Sequence, residues 1–191
     1  GMVREANEDR FAGEVFDRWC GYAVLCDGMG GEIGGGIAAG IAAEEVRRMV
    51  ESSLRPHMEE RSLRLLLETA VAGANRAVYT RSEQNGGALR GMGSTLCAAV
   101  ISDGTALVAN VGDSRCYLLR EGVLTQLTQD HTAVAELVRQ GLLTPEDAVH
   151  HPDRHAITRA IGVEPEVLPD HTVIDLARGD ALLLCSDGLY N

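Results

Sequence analysis

Two apolar runs that each end on an aspartate followed by glycine constrain this chain more than any other feature. From Tyr22 to Gly31 (YAVLCDGMGG), small and apolar residues lead into one carboxylate, after which side chains almost vanish. From Ala181 to Gly188 (ALLLCSDG) the same pattern recurs near the other end. Each reads as a buried strand with an acid at its tip. The glycines after Asp27 let main-chain atoms come close to a ligand. Two such strands, brought together, form the walls of a polar site.

The 191 residues are enough for one domain with a substantial core and no need of disulfides. Lys and Arg number 17 against 28 Asp and Glu, a formal net charge of −11, so there is no basic stripe for nucleic acid. An acidic chain can still take an anionic substrate if bound cations invert the local field. The five cysteines (Cys20, Cys26, Cys97, Cys116, Cys185) are odd in number and form no Cys-x-x-Cys pair. They read as small buried hydrophobes in a reducing, cytoplasmic compartment. No run approaches the roughly 20 apolar residues of a membrane span, and no secretory signal opens the chain. Both ends read as cut: Val3-Arg4 enters a charged motif without a lead-in, and Asn191 follows directly on the second Asp-Gly strand. The sequence is therefore expected to be a fragment.

Along the chain, residues 9–16 and 19–27 read as a hairpin turning at Asp17-Arg18. Residues 33–53 read as a helix whose Gly- and Ala-rich start suits close packing on a sheet. Leu63, Leu66, Leu67, Ala70, Val71, Ala74, Ala77 and Val78 recur at helical steps and mark a second helix, closed by Asn85-Gly86-Gly87. Strands follow at 94–102, 105–111 and 115–120, with turns at Asp103-Gly104 and Gly112-Asp113-Ser114 and a further short strand ending near Leu127. Residues 130–162 are polar and rich in His and Pro, with short helices near 133–140 and from Thr144; they read as a small inserted lobe. Strands return at 167–175 and 181–186. Hairpinned strands with early long helices indicate α+β rather than alternating α/β. Residues 94–101 are apolar on both faces, as in a sheet covered on both sides. Two packed sheets flanked by helices satisfy both observations.

Three aspartates, Asp27, Asp113 and Asp187, lie at or just past the ends of apolar strands. Hard divalent cations want oxygen ligands, and Mg²⁺ or Mn²⁺ suits this inventory better than Zn²⁺, since no His or Cys stands at ligand spacing. The ordered motifs VREANEDR, CDGMGG, GSTLCAAVI, NVGDSRCYLLR, LTQDHT, AITRAIG and LLLCSDGL resemble the metal-dependent Ser/Thr protein phosphatases of the PPM family, type 2C, in their bacterial form. The resemblance runs over essentially the whole chain. It implies a four-layer α-β-β-α sandwich with a dinuclear Mn²⁺/Mg²⁺ site at one edge of the sheets and a flap at about 130–162. It also implies a role for each matching residue: Arg4 grips the substrate phosphate, Glu8 binds one ion, and Asp9 supports the bound water. Asp27 bridges the two ions, the Gly28 carbonyl binds one of them, and Asp187 binds the other. Asp113 and Asp187 together match a third, weaker metal site. Strand alternation puts Arg4 and Glu8 on one face.

The implied chemistry is hydrolysis of phosphoserine and phosphothreonine esters by a water bridging two cations, without a covalent phosphoenzyme. The implied partners are phosphorylated Ser/Thr proteins, among them a Ser/Thr kinase or its substrates, met by a monomer, with no nucleic acid and no membrane. Two departures from the family stand out. Met29 occupies the position where many eukaryotic members carry a histidine proposed as general acid. The family's last Asp ligand, which precedes an Asn on a later strand, has no match after Asp187. The rival reading is a phosphatase-like interaction or sensory module with an incomplete metal site. Among residues given no catalytic role, His150, His151 and His155 read as polar flap surface and His131 as a turn residue or cap. Gly93-Ser94-Thr95 is not a nucleophile elbow, and the glycines after Asp27 lack the Lys-Ser/Thr ending of a P-loop.

Overall fold

The computed structural model describes residues 7–84 and 89–190. Arg4 and the Asn85-Gly86-Gly87 stop lie outside the described residues. Strands β1 (Arg10–Asp17) and β2 (Cys20–Cys26) form the expected hairpin, turning at Arg18-Trp19. They join β5 (Leu96–Ser102), β6 (Thr105–Val111) and β9 (Asp170–Asp175) in one antiparallel sheet of order β1-β2-β5-β6-β9. A second sheet of order β10-β7-β8 holds β7 (Arg115–Arg120), β8 (Val123–Gln126) and β10 (Ala181–Cys185). The β5–β6 and β7–β8 hairpins use the same two-residue solution. Asp103-Gly104 sits at φ 48° and 83°, and Glu121-Gly122 at 52° and 79°. Both central positions are left-handed, the turn whose twist matches paired strands.

Alternation along β5 explains why its sequence is apolar throughout. Leu96, Ala98 and Val100 face a core shared with helix α1 (Gly31–Ser53) and helix α2 (Glu60–Gln84). Cys97 and Ala99 point the other way, into a smaller core with Ala106, Val108, Cys116 and Leu118, against which Leu182 and Leu184 of β10 pack. Helices, sheet and sheet thus stack in that order, and the α+β class with antiparallel sheets and helices read from the sequence is the architecture found, with three layers among the described residues where the resemblance implied four. All five cysteines are buried and unpaired, as small core residues should be. In α2 the stripe from Leu63 to Val78 is buried except Ala77, and Asn75 is buried with it. No helix among the described residues is long and apolar enough to cross a membrane.

The strand expected from Ser94 to Ser102 is broken at Thr95. Its first residue, Ser94, instead joins Gly93 in β4 (Gly93–Ser94), which pairs with β3 (Gly28–Met29) as a separate ribbon. The break occurs because Thr95 is drawn to the Asp27 main chain, giving its N–H to the Asp27 carbonyl and accepting the Asp27 N–H at its hydroxyl, both at 2.9 Å. Residues 130–162 carry α3 (Ala133–Arg139) and α4 (Pro145–Val149), each capped by a threonine hydroxyl: Thr132 accepts from Ala135 N–H and Thr144 from Asp147 N–H. The Ser94–Ile161 bridge ties this segment back to β4, and the Thr132–Ile157 bridge closes the segment on itself. A last short helix, α5 (Asp187–Tyr190), follows β10.

Candidate metal centre

Asp27 is delivered by the end of β2, and its main chain is fixed from three directions. Besides the two bonds to Thr95, the Ser94 hydroxyl donates to the Asp27 carbonyl at 3.0 Å. The Thr95 hydroxyl in turn meets Ser114 at 2.7 Å, inside the protein. A carboxylate whose backbone is held this firmly loses little entropy when its side chain takes up a ligand.

Four aspartates from distant parts of the chain share one neighbourhood. Burial pushes the Asp27 carboxyl up to about 7, reinforced by the charges of Asp9 and Asp187, a hydrogen bond to Asp9, and the charge of Asp113. Burial also raises Asp113, followed by the charges of Asp187 and Asp130. Asp9 is linked to β10 by the Ser186 hydroxyl, which donates to it at 3.0 Å. Its own backbone is set by Asn7, whose side-chain oxygen accepts the Asp9 N–H, and by Arg10, which donates to the Asn7 and Asp9 carbonyls. Concentrated negative charge in a half-buried site demands protons or cations, and the donor set is all oxygen. These residues therefore fit a hard divalent ion such as Mn²⁺ or Mg²⁺. Among the described residues, no three His, Cys, Asp or Glu side chains already close into a ligand set for one ion. The acids border a common space rather than converging on a point.

The glycines of this edge have a reason the sequence did not give. A Cβ on Gly28 would stand 2.1 Å from the Gly35 carbonyl oxygen, so β3 and the first turns of α1 touch backbone to backbone. A Cβ on Gly35 would meet Glu8 Oε1 at 2.6 Å. Gly35 is thus the surface on which both Gly28 and Glu8 rest, and the glycine-rich helix start serves to bring them together. Met29, in β3, has its terminal methyl beside Gly93.

The turn carrying Asp113 is clamped by His131, which sequence reasoning read as a turn residue or cap. The α3 cap is Thr132, and His131 is buried at 5% exposure. Its backbone N–H donates to the Gly112 carbonyl at 3.0 Å, and its Nδ1 accepts the Gly112 N–H at 3.0 Å. Acceptance at Nδ1 puts the imidazole proton on Nε2, which faces Asp170 at 3.1 Å. Arg159 holds the other Asp170 oxygen at 2.7 Å. Asn110 adds a donor to the Gly112 carbonyl at 3.2 Å. Gly112 itself sits at φ 101°, and a Cβ there would strike Thr95 at 2.7 Å. On the other side of the turn, the Tyr190 hydroxyl donates to the Asp113 carbonyl at 2.8 Å, and the Tyr190 ring lies under the Arg115 guanidinium, 3.5 Å from the ring centroid. Arg115 also grips Asp130 through both carboxylate oxygens at 2.7–3.1 Å.

The structure therefore brings together Asp9, Asp27, Asp113 and Asp187, with Glu8 and Gly28 joined through Gly35. Sequence reasoning missed Ser94, Thr95, Asn110, His131, Ser186 and Tyr190. All but Tyr190 are polar residues inside the quoted motifs, and Tyr190 directly follows the last of them; that placement was the available signal.

Known proteins share the sequence pattern and the fold. A family model described as Protein phosphatase 2C matches residues 3–191. The serine/threonine phosphatase stp of Listeria monocytogenes serotype 4b (strain F2365) is 39% identical over 196 residues, spanning 100% of this chain and 75% of that protein. The crystal structure of serine/threonine phosphatase Stp1 from Staphylococcus aureus superposes with a TM-score of 0.88 at 33% identity, covering 99% of this chain and 73% of that one. The catalytic domain of the serine/threonine protein phosphatase PstP, solved in complex with two manganese ions, gives a TM-score of 0.82 at 37% identity over 99% of this chain and 74% of its own. With the family's model matching nearly the whole of this chain and the fold shared with its solved members, the chain belongs to the protein phosphatase 2C family.

Proposed function

We propose that this chain hydrolyses phosphoserine and phosphothreonine esters in proteins, with two Mn²⁺ or Mg²⁺ ions held by Glu8, Asp27, the Gly28 carbonyl and Asp187. Asp113 and Asp187 would hold a third ion. When bound, the ions supply a hydroxide-like nucleophile at neutral pH and neutralise the phosphoryl oxygens. The observation that carries the reading is the gathering of Asp9, Asp113 and Asp187 around the half-buried Asp27 carboxyl, whose pKa burial and these neighbours push up to about 7. Its similarity to a serine/threonine phosphatase and to a phosphatase domain solved with two manganese ions supports the reading.

Each residue has a task within this reading. Asp9, fixed by Asn7 and Ser186, accepts a hydrogen bond from the attacking water and orients it. Arg4 clamps the substrate phosphate by paired hydrogen bonds. Thr95 and Ser94 keep the Asp27 main chain still, and His131 and Asn110 do the same for the Asp113 turn. Met29 has no titratable proton, so the leaving alkoxide takes its proton from water. Residues 130–162 form the flap that borders the site, within a single catalytic domain. A phosphorylated kinase or its substrates would be the protein partners, met by a monomer in the cytoplasm.

The test is release of phosphate from a phosphothreonine peptide, with and without Mn²⁺ after EDTA treatment. Hydrolysis should require the added metal and leave no phosphate on the protein. Metal-independent turnover, or a trapped phosphoenzyme, would refute the mechanism.

A further inference from the structure

A cavity lies beneath the flap, with about 980 Å³ of space between α3, α4, the second sheet and Tyr190. Asp113, one of the proposed metal ligands, forms part of its wall, so the cavity opens directly from the catalytic edge. Its basic residues outnumber its acids, against the −11 balance of the whole chain. Arg115, Arg139, His150, Arg154 and His155 line it, and Asp130 is the only other acid that does.

Two of the arginines are already neutralised. Arg115 is held by Asp130 and stacked on Tyr190, and Arg139 pairs with Glu136. Arg154, His150 and His155 have side chains with no hydrogen bond or ion pair among the described residues. The flap acids Glu146, Asp147 and Asp153 stand close to them in sequence but do not line the cavity. Val134, Val138 and Val149 give the same cavity an apolar floor, which suits a peptide laid along it.

We propose that this cavity is a recognition subsite for a second phosphate on the same protein substrate as the phosphoester being cleaved. The proposal rests on the hydrolytic reading above and adds the substrate class it prefers. A phosphate carries close to two negative charges at neutral pH, and an arginine fork matches its oxygens two at a time. A space of 980 Å³ is roughly 12 Å across, which extended chain at about 3.3 Å per residue covers in about three or four residues. The second phosphate therefore sits about three or four positions from the scissile one.

The experiment compares kcat/KM for three peptides on the wild-type protein with Mn²⁺: one with a single phosphothreonine, one with a second phosphothreonine three or four residues away, and one with glutamate at that second position. The doubly phosphorylated peptide should be preferred about tenfold over the single one, the sum expected of one arginine and two imidazoles at partly exposed sites, with glutamate well below it. In the double variant Arg154→Ala/His150→Ala the ratio of doubly to singly phosphorylated peptide should fall to near one. Because a ratio is read, any general loss of activity cancels. A wild-type ratio near one, a ratio unchanged in the variant, or glutamate matching phosphate would each overturn the proposal. Failure of the wild type to cleave the singly phosphorylated peptide would refute the hydrolytic reading itself.

Discussion

His131 offers the sharpest test of how the Asp113 turn is held. Replacing it with alanine removes the acceptor of the Gly112 N–H in a buried position. An orphaned buried donor costs about 1–3 kcal/mol, and the emptied imidazole volume adds roughly 1 kcal/mol. His131→Ala should therefore lose about 2–4 kcal/mol, or roughly 1–2 M in urea midpoint at an ordinary slope. Asparagine can put its side-chain oxygen near the former Nδ1, so His131→Asn should recover at least about 1 kcal/mol of that loss. The clamp also predicts a pH dependence. Burial lowers the His131 pKa below 6.5, Asp170 opposes this, and Arg159 and Arg139 add to it. A proton at Nδ1 would face the Gly112 N–H. The folded chain thus resists a proton that the unfolded chain accepts near pH 6.5. The resulting stability is complete above that pH and is lost as pH falls from 6.5 through the folded value. His171 is also lowered by burial and titrates in the same window, so the quantity to read is wild type minus His131→Asn. That difference should shrink on acidification from pH 7.5 to 5. Urea melts across this range decide it: an asparagine variant no better than alanine, or a difference that does not change with pH, would refute the clamp.

Four further outcomes are expected. Gly28→Ala must part β3 from α1 by over about 1 Å, an overpacking that costs about 1–3 kcal/mol and lowers Tm by several degrees, while weakening Mn²⁺ binding in a calorimetric titration. Gly73→Ala, in α2 with nothing within 4 Å of the new methyl, should instead stabilise by about 0.5–1 kcal/mol in the same thermal assay. Asn75→Ala strands the Gly162 N–H and the Glu164 and Pro165 carbonyls that Asn75 now pairs, and should cost about 2–4 kcal/mol in urea unfolding. Saturating Mn²⁺ at about 100 times its dissociation constant should raise stability by about 2.7 kcal/mol, an increment that EDTA removes and Asp27→Asn lacks.

Much of this molecule could be read before its structure, and the limits of that reading are physical. β6 and β7 have the boundaries expected because Asp103-Gly104 and Gly112-Asp113-Ser114 punctuate apolar runs, which is local information. The acids Asp27 and Asp187 were legible for the same reason: each interrupts an apolar run at its tip. The break between β4 and β5 was not, because it is caused by Thr95 bonding to Asp27, 68 residues away. His131 was misread because its partner Gly112 lies 19 residues off, and only tertiary contact reveals the pairing. Asn75 did carry a signal, as a polar residue at a core position of the α2 stripe. Gly28 was assigned to metal approach alone, whereas its contact with Gly35 already forbids a side chain. A backbone-to-backbone approach leaves no mark on periodicity.

The central claim is that Asp27 anchors a cation centre built from acids of four separate segments. Electron paramagnetic resonance of Mn²⁺ titrated into the protein counts bound ions directly. Wild type is expected to bind at least two per chain. Removing even an outer partner of a metal ligand weakens affinity about 10–100-fold, so Asp27→Asn should lose more than about 100-fold. Binding of Mn²⁺ by Asp27→Asn with wild-type number and affinity would contradict the account.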